Sequence, residues 1–303
     1  MRPRVAPVFS VFARWLDEPQ PILRLELVRI FAPLAVLGFM SGRVAHADEL
    51  LGTAGFHVPN LGVDDYRQPL YVAPLSNGTA WLVAAVLVLS GLCLSAGFRT
   101  RAAALVFAAS LAFVALADRL AAFTVTKMSP TLMLALFFSP AGARFGVDAW
   151  LRRRRRPDAP LPVLVSSGSV RFFQAFLVVM YAATAWAKIH GDWLVRWDVL
   201  WTHVHDSYQT TFSWVLANGM PRPLWAVLQG ATLALEAGAP VWFAWRRSRP
   251  IALVAAVIMH AMIGLMFGPV KWFALEMIAL LVGSYAPEAW LDRAAAKLGA
   301  RFG

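Results

Sequence analysis

Residues 170–193, VRFFQAFLVVMYAATAWAKIHGDW, form an apolar run long enough to cross a bilayer, which takes roughly 20 residues for a core of roughly 30 Å. The run nonetheless carries Arg171, Gln174, Tyr181 and Lys188. Spaced by three, seven and seven positions, these side chains share one face of a helix. An ammonium at bilayer depth costs about 2.5–3.5 kcal/mol on insertion scales unless it snorkels, pairs or lines a wet cavity. Lys188 has Trp186 and Trp193 beside it, as a snorkelling lysine would at an interface. Acids on other apolar runs offer the pairing alternative.

Such runs dominate the chain. Of 303 residues, 59% are hydrophobic and only 15% are charged, against about 25% charged in a soluble domain. The composition predicts an all-α, polytopic integral membrane bundle. Spans are expected at 21–42, 80–98, 102–117, 128–142, 170–193, 224–245, 251–267 and 271–285, eight in all. The fourth is short, so it spans a thinned bilayer or re-enters. Residues 1–18 lack the continuous apolar core of a cleavable signal. Val5, Val8, Phe9, Phe12, Trp15 and Leu16 instead recur at helical spacing, which predicts an interfacial amphipathic helix. The tail 288–303 has the same pattern. The whole chain then reads as a single transmembrane domain: four spans within 20–150, a basic linker at 151–169, and four more spans within 170–287.

The net charge of +11 would point to nucleic acid in a soluble protein. Here the arginines gather in short turns, at Arg99 and Arg101, at the five consecutive residues Arg152 to Arg156, and at Arg246, Arg247 and Arg249. Eight spans bring all of these turns and both termini to one side, the cytoplasmic side under the positive-inside rule. The partner implied is lipid, not nucleic acid. The opposite loops, 41–79 and 191–223, hold the acids, histidines and tryptophans. His46, Asp48 and Glu49 show no metal-ligand spacing and read as solvated loop. Glu26 and Arg29 read as an interfacial ion pair at the start of the first span. Asn77-Gly78-Thr79 matches the glycosylation sequon, a frequent chance pattern. The single cysteine, Cys93, excludes an internal disulfide.

Lys188, Glu236, His260 and Glu276 lie on four consecutive expected spans, and such residues turn inward and find each other in lipid. A lysine against apolar surface can serve as a base. Paired with Glu236 or Glu276 it belongs instead to a structural knot. Spacing alone leaves both readings open.

Several motifs resemble the HTTM (horizontally transferred transmembrane) family, which includes the vitamin K-dependent gamma-carboxylases. They are Gln174, Tyr181, Ala187-Lys188-Ile189, Gly191-Asp192-Trp193, Glu236 and Met259-His260-Ala261. Weaker matches at Leu25 to Phe31, Gly97-Phe98-Arg99-Thr100 and Gly146-Val147-Asp148 extend the likeness to residues 20–287. The resemblance implies an outward-facing site with Lys188 as the base acting on a reduced quinone of menaquinone or vitamin K type. It also implies His260 as a second catalytic group, and a carboxylase- or epoxidase-like reaction on a peptide or protein at the outer side. Glu236, Tyr181, Gln174, Asp192 and Trp193 would support them. Two departures bear on the reaction. The stretch 126–131, TKMSPT, holds no histidine where the carboxylases have one, and nothing after the last span resembles their luminal domain. The expectation is a quinol-dependent, oxygenase- or carboxylase-like membrane enzyme with an outward-facing site. The alternative is a non-catalytic accessory protein for export, maturation or immunity. A transporter would require a pair of broken helices in the two halves, and none is visible.

Overall fold

The structure is a computed structural model, and it describes residues 7–56, 72–117, 123–205 and 209–302. The loop charges His57, Asp64, Asp65, Arg67, Asp118, Arg119 and Asp206 lie outside the described residues. The chain divides into two compact units, one combining Met1–Arg24 with Ser166–Gly303 and the other holding Leu25–Val165. The first unit opens with α1 (Pro7–Asp17), where the amphipathic pattern predicts a helix, and β1 (Pro19–Pro21).

The Leu25–Val165 unit holds nearly all of α2 (Leu23–Val44), then α3 (Ala47–Leu50), α4 (Asn77–Ala96), α5 (Thr100–Ala117), α6 (Thr124–Phe137) and α7 (Val147–Arg155). Helix α5 packs between α4 and α6. Their shared core is Leu94, Phe107, Leu111, Leu132 and Leu136, all fully buried. The α4–α5 turn is tight because Gly97 takes a left-handed φ of 71° and closes α4. Asp148 then caps α5 from α7, accepting from the backbone N–H of Arg99 at 2.9 Å and of Thr100 at 3.1 Å.

Three features of this unit differ from the sequence expectation. The Glu26–Arg29 pair is not a solvated surface pair: its side chains are 0% and 1% exposed. The Arg29 guanidinium donates to Glu26 Oε2 at 2.8 Å and to the carbonyls of Leu94 (3.0 Å), Ser95, Ala141 (2.8 Å) and Phe145. Glu26 Oε1 in turn accepts from the backbone N–H of Arg144 and Phe145. One ion pair thus ties α2 to the end of α4 and to the segment after α6. Second, the arginine run is helical through Arg155 and not a loop; arginine is a good helix former, and cations at a C-terminus favour the helix dipole. Third, the sequon asparagine opens α4 behind an N-cap at Ser76. The solvated reading of the first loop agrees with the exposed His46–Glu49 contact at 3.6 Å.

The other unit continues with β2 (Leu164–Ser166), whose last residue belongs to it, then α8 (Gly168–His190), α9 (Val199–His203), α10 (Thr211–Gly219), α11 (Arg222–Trp242), α12 (Arg249–Met266), α13 (Lys271–Tyr285) and α14 (Glu288–Phe302). Helix α8 packs against α11 and α13, and α12 lies against α11 and α13. The segment 191–223, expected as loop, contains α9 and α10; α10 is fixed by a capping box between Thr210 and Ser213.

Among the described residues five helices, α4, α5, α8, α11 and α12, are long and apolar enough to cross a membrane. The three further expected spans fall short of that measure. Helix α2 carries Arg24, Glu26 and Arg29 in its first two turns. Helices α6 and α13 have 14 and 15 residues, roughly 21–22 Å at 1.5 Å per residue.

Candidate functional site

The polar face of α8 resolves into separate clusters. At its N-terminal end Arg171 donates to Gln174 Oε1 at 3.0 Å, pairs with Glu18 and stacks over Trp15. Gln174 donates to the Ser284 carbonyl at 2.7 Å, and Tyr285 Oη donates to the Gln174 carbonyl at 2.9 Å. These contacts fasten α1 and α13 to α8. Gln174 lies fourteen residues before Lys188, roughly 21 Å along the helix, so the two do not share a site.

Two turns on, Tyr181 is buried, with its hydroxyl 2.9 Å from His260 Nε2. Its ring stacks on Phe243, which stacks on Tyr285. His260 is 3% exposed and meets Phe273 edge-on. Its Nδ1 has no hydrogen-bond partner among the described residues.

Two turns further, Lys188 Nζ donates to both oxygens of Glu236 on α11, at 2.5 and 2.6 Å. Of the two acids the sequence offered, Glu236 is the one that meets the lysine. Glu236 is 7% exposed and Lys188 22%. Pro240, four residues beyond Glu236, brings no N–H to that turn of α11. The indole of Trp193 covers Lys188, with Nζ 4.4 Å from the ring centroid. Asp192 is exposed; its carbonyl accepts from the N–H groups of Val195 and Arg196 and so shapes the turn that carries Trp193.

Lys188 and Trp193 border a cavity of about 610 Å³ walled almost wholly by apolar side chains of α9–α12, among them Met220, Met259, Met262, Met266, Leu235 and Trp225. Its volume is in the range of small-molecule sites. His203 and Thr232 are the other polar side chains in the lining. His260 is not in the wall, although its neighbour Met259 is. Lys188 and, on α12, His260 beside Tyr181 therefore lie two turns of α8 apart, one at the cavity and one behind it.

Two residues of the site carry no signal in motif or spacing. Gln229 is fully buried and donates to the carbonyls of Trp193 and Arg196, both at 2.8 Å, while accepting from the Leu200 N–H at 3.1 Å. It staples the 193–200 segment to α11 and so holds Trp193 over the lysine. The signal available was a lone amide in an apolar helix. Trp225 is fully buried, lines the cavity, and keeps an indole N–H without an acceptor among the described residues.

Fold and site together define an integral membrane protein of packed helices, with a half-shielded lysine–glutamate pair at the edge of an apolar cavity. A family model for the HTTM domain matches residues 62–290, well over half of the chain. The chain belongs to the HTTM family. No curated protein and no solved structure matches it.

Proposed function

We propose that this protein is a membrane enzyme acting on a reduced quinone or a related lipophilic hydroxyl compound, with Lys188 as the proton-accepting group. The observation that carries the reading is the position of Lys188: one side is fixed by both oxygens of Glu236 and the other borders the apolar cavity. An apolar cavity with one charged corner fits a ring bearing a polar group and a hydrocarbon tail. When bound, a reduced quinone would supply an ionisable ring hydroxyl and the reducing equivalents for oxygen. The chain's own part is proton handling. Lys188 can accept a proton from a ligand only after giving one of its own to Glu236, and a contact of 2.5 Å permits that exchange. Trp193 covers one face of the ammonium and limits its contact with water. Tyr181 and His260 stand behind the pair as supporting groups, with His260 a catalytic candidate should the cavity extend toward it on binding.

The topology that accompanies this reading has eight spans, with α2, α6 and α13 completing the five long helices. The basic turns and both termini are then cytoplasmic, in a bacterial inner membrane. A second reading rests on the same ion pair. A lysine bound twice by one carboxylate also serves as a structural knot, as in a non-catalytic accessory protein for another protein's export, maturation or immunity.

Oxygen uptake by the purified protein given reduced menaquinone separates the two. The enzyme reading expects uptake that falls by about 10²–10⁴ in Lys188→Ala while the variant stays folded. Uptake absent from the folded native protein across several quinols would overturn it in favour of the accessory role.

A further inference from the structure

The Leu25–Val165 unit contains a second cavity, of about 450 Å³, bordered by Arg99, Thr100, Arg101, Ser139, Asp148 and Arg152. Three of these side chains are cationic and one is acidic. The acid is already engaged: Asp148 Oδ1 accepts from the Arg99 N–H, and Oδ2 accepts from the Thr100 N–H and hydroxyl. Arg152 is held toward the cavity by bonds to the carbonyls of Ala143 (2.6 Å) and Gly142 (3.4 Å). Arg99 and Arg101 are exposed, and among the described residues neither guanidinium has a carboxylate partner. Arg99 moreover sits at a φ of 45°, a conformation that non-glycine residues other than Asn and Asp seldom adopt. Here it is enforced by the Asp148 cap and directs an arginine to the rim.

The surroundings indicate the medium into which this cavity opens. It lies at the junction of α4 and α5, two of the membrane-long helices. Phe98 and Phe138, adjacent in sequence to lining residues, are 41% and 72% exposed, and Trp150 is also exposed. An exposed tryptophan and arginines at the ends of apolar helices mark the lipid–water interface, with the bare phenyl rings toward its apolar side. A cationic recess at that depth faces headgroups.

We propose that this recess seats the phosphate group of an anionic membrane lipid, with Arg99, Arg101 and Arg152 as its ligands. The site is separate from Lys188 and its cavity, and it does not depend on any catalytic role for them. Arginine suits this task because its planar fork matches phosphate oxygens in pairs.

The test is native mass spectrometry of the full-length protein in detergent, titrated with dioleoyl phosphatidylglycerol, dioleoyl phosphatidylcholine or inorganic phosphate alone. Arg99→Asn with Arg101→Gln removes two ligands, keeps a residue that tolerates the left-handed conformation, and leaves Arg152 and its carbonyl bonds in place. Arg155→Gln with Arg156→Gln removes the same charge outside the recess and serves as the control. The expected result is retention of phosphatidylglycerol over phosphatidylcholine by the native protein. It should weaken about fivefold for each arginine removed from the recess and little in the control. Equal weakening in both double variants would overturn the proposal, because it would show only diffuse attraction to basic surface. Displacement of phosphatidylglycerol by millimolar inorganic phosphate would overturn the assignment to a lipid. Should the first variant not fold, Arg101→Lys and Arg101→Glu carry the same test: the lysine must retain more lipid than the glutamate.

Discussion

The buried Arg29–Glu26 pair offers the sharpest test of what holds the Leu25–Val165 unit together. Replacing Arg29 with lysine keeps the charge and discards the fork. The guanidinium now serves the Glu26 carboxylate and four carbonyls, of which Leu94 also accepts from the Gly97 N–H at 3.0 Å. That leaves Ser95, Ala141, Phe145 and Glu26 in need of the side chain. An ammonium has three donors at a single point and cannot reach acceptors on α2, α4 and the segment after α6 together. At least two acceptors lose their partner, at about 1–3 kcal/mol each, so the expected loss is roughly 2–6 kcal/mol. The assay is unfolding by sodium dodecyl sulfate in mixed micelles, followed by tryptophan fluorescence. If Arg29→Lys unfolds within about 1 kcal/mol of the native protein, the carbonyl contacts do not carry the stability ascribed to them.

Two smaller predictions follow from the same geometry. Gly97→Ala sets a Cβ 2.8 Å from Arg29 Nη1 at a φ of 71°, so thermal unfolding should show a loss of more than about 1 kcal/mol from backbone strain and displaced guanidinium combined. Gln229→Leu removes three hydrogen bonds from the 193–200 segment; hydrogen exchange should rise there by at least tenfold, the equivalent of about 1.4 kcal/mol, while the core of α11 stays protected.

What the sequence disclosed and what it withheld divide along contact distance. The last long apolar run, 271–285, is the observed α13 to the residue, because Pro287 and the glycine-containing turn before Lys271 punctuate it locally. The family motif around Lys188 was legible, and so was an acid for it to meet. Spacing does not choose Glu236 over Glu276, since that depends on the rotation of α11 and α13 about α8; the family resemblance points to Glu236, the acid that Lys188 meets. Glu26 and Arg29 were legible as neighbours one turn apart. Their burial was not, because the carbonyls that enclose them arrive from 65 to 116 residues away. Charge marks the basic run as topological, while the helix-forming tendency of the same arginines carries α7 through Arg155. Helical periodicity groups Gln174 with Lys188 because it identifies a face but says nothing about distance along it.

Four methionines stand in the wall of the larger cavity, at 220, 259, 262 and 266. Unbranched thioether side chains change shape at little cost, so this wall yields to its guest and does not grade guests finely by outline. Homologues differing by a methylene or a branch in the tail will be treated much alike there. Discrimination falls to the rigid corner, where Lys188, Glu236 and Trp193 are each held by a named partner. Under the proposed function, ligands that differ in the polar head will separate more sharply than ligands that differ in the hydrocarbon.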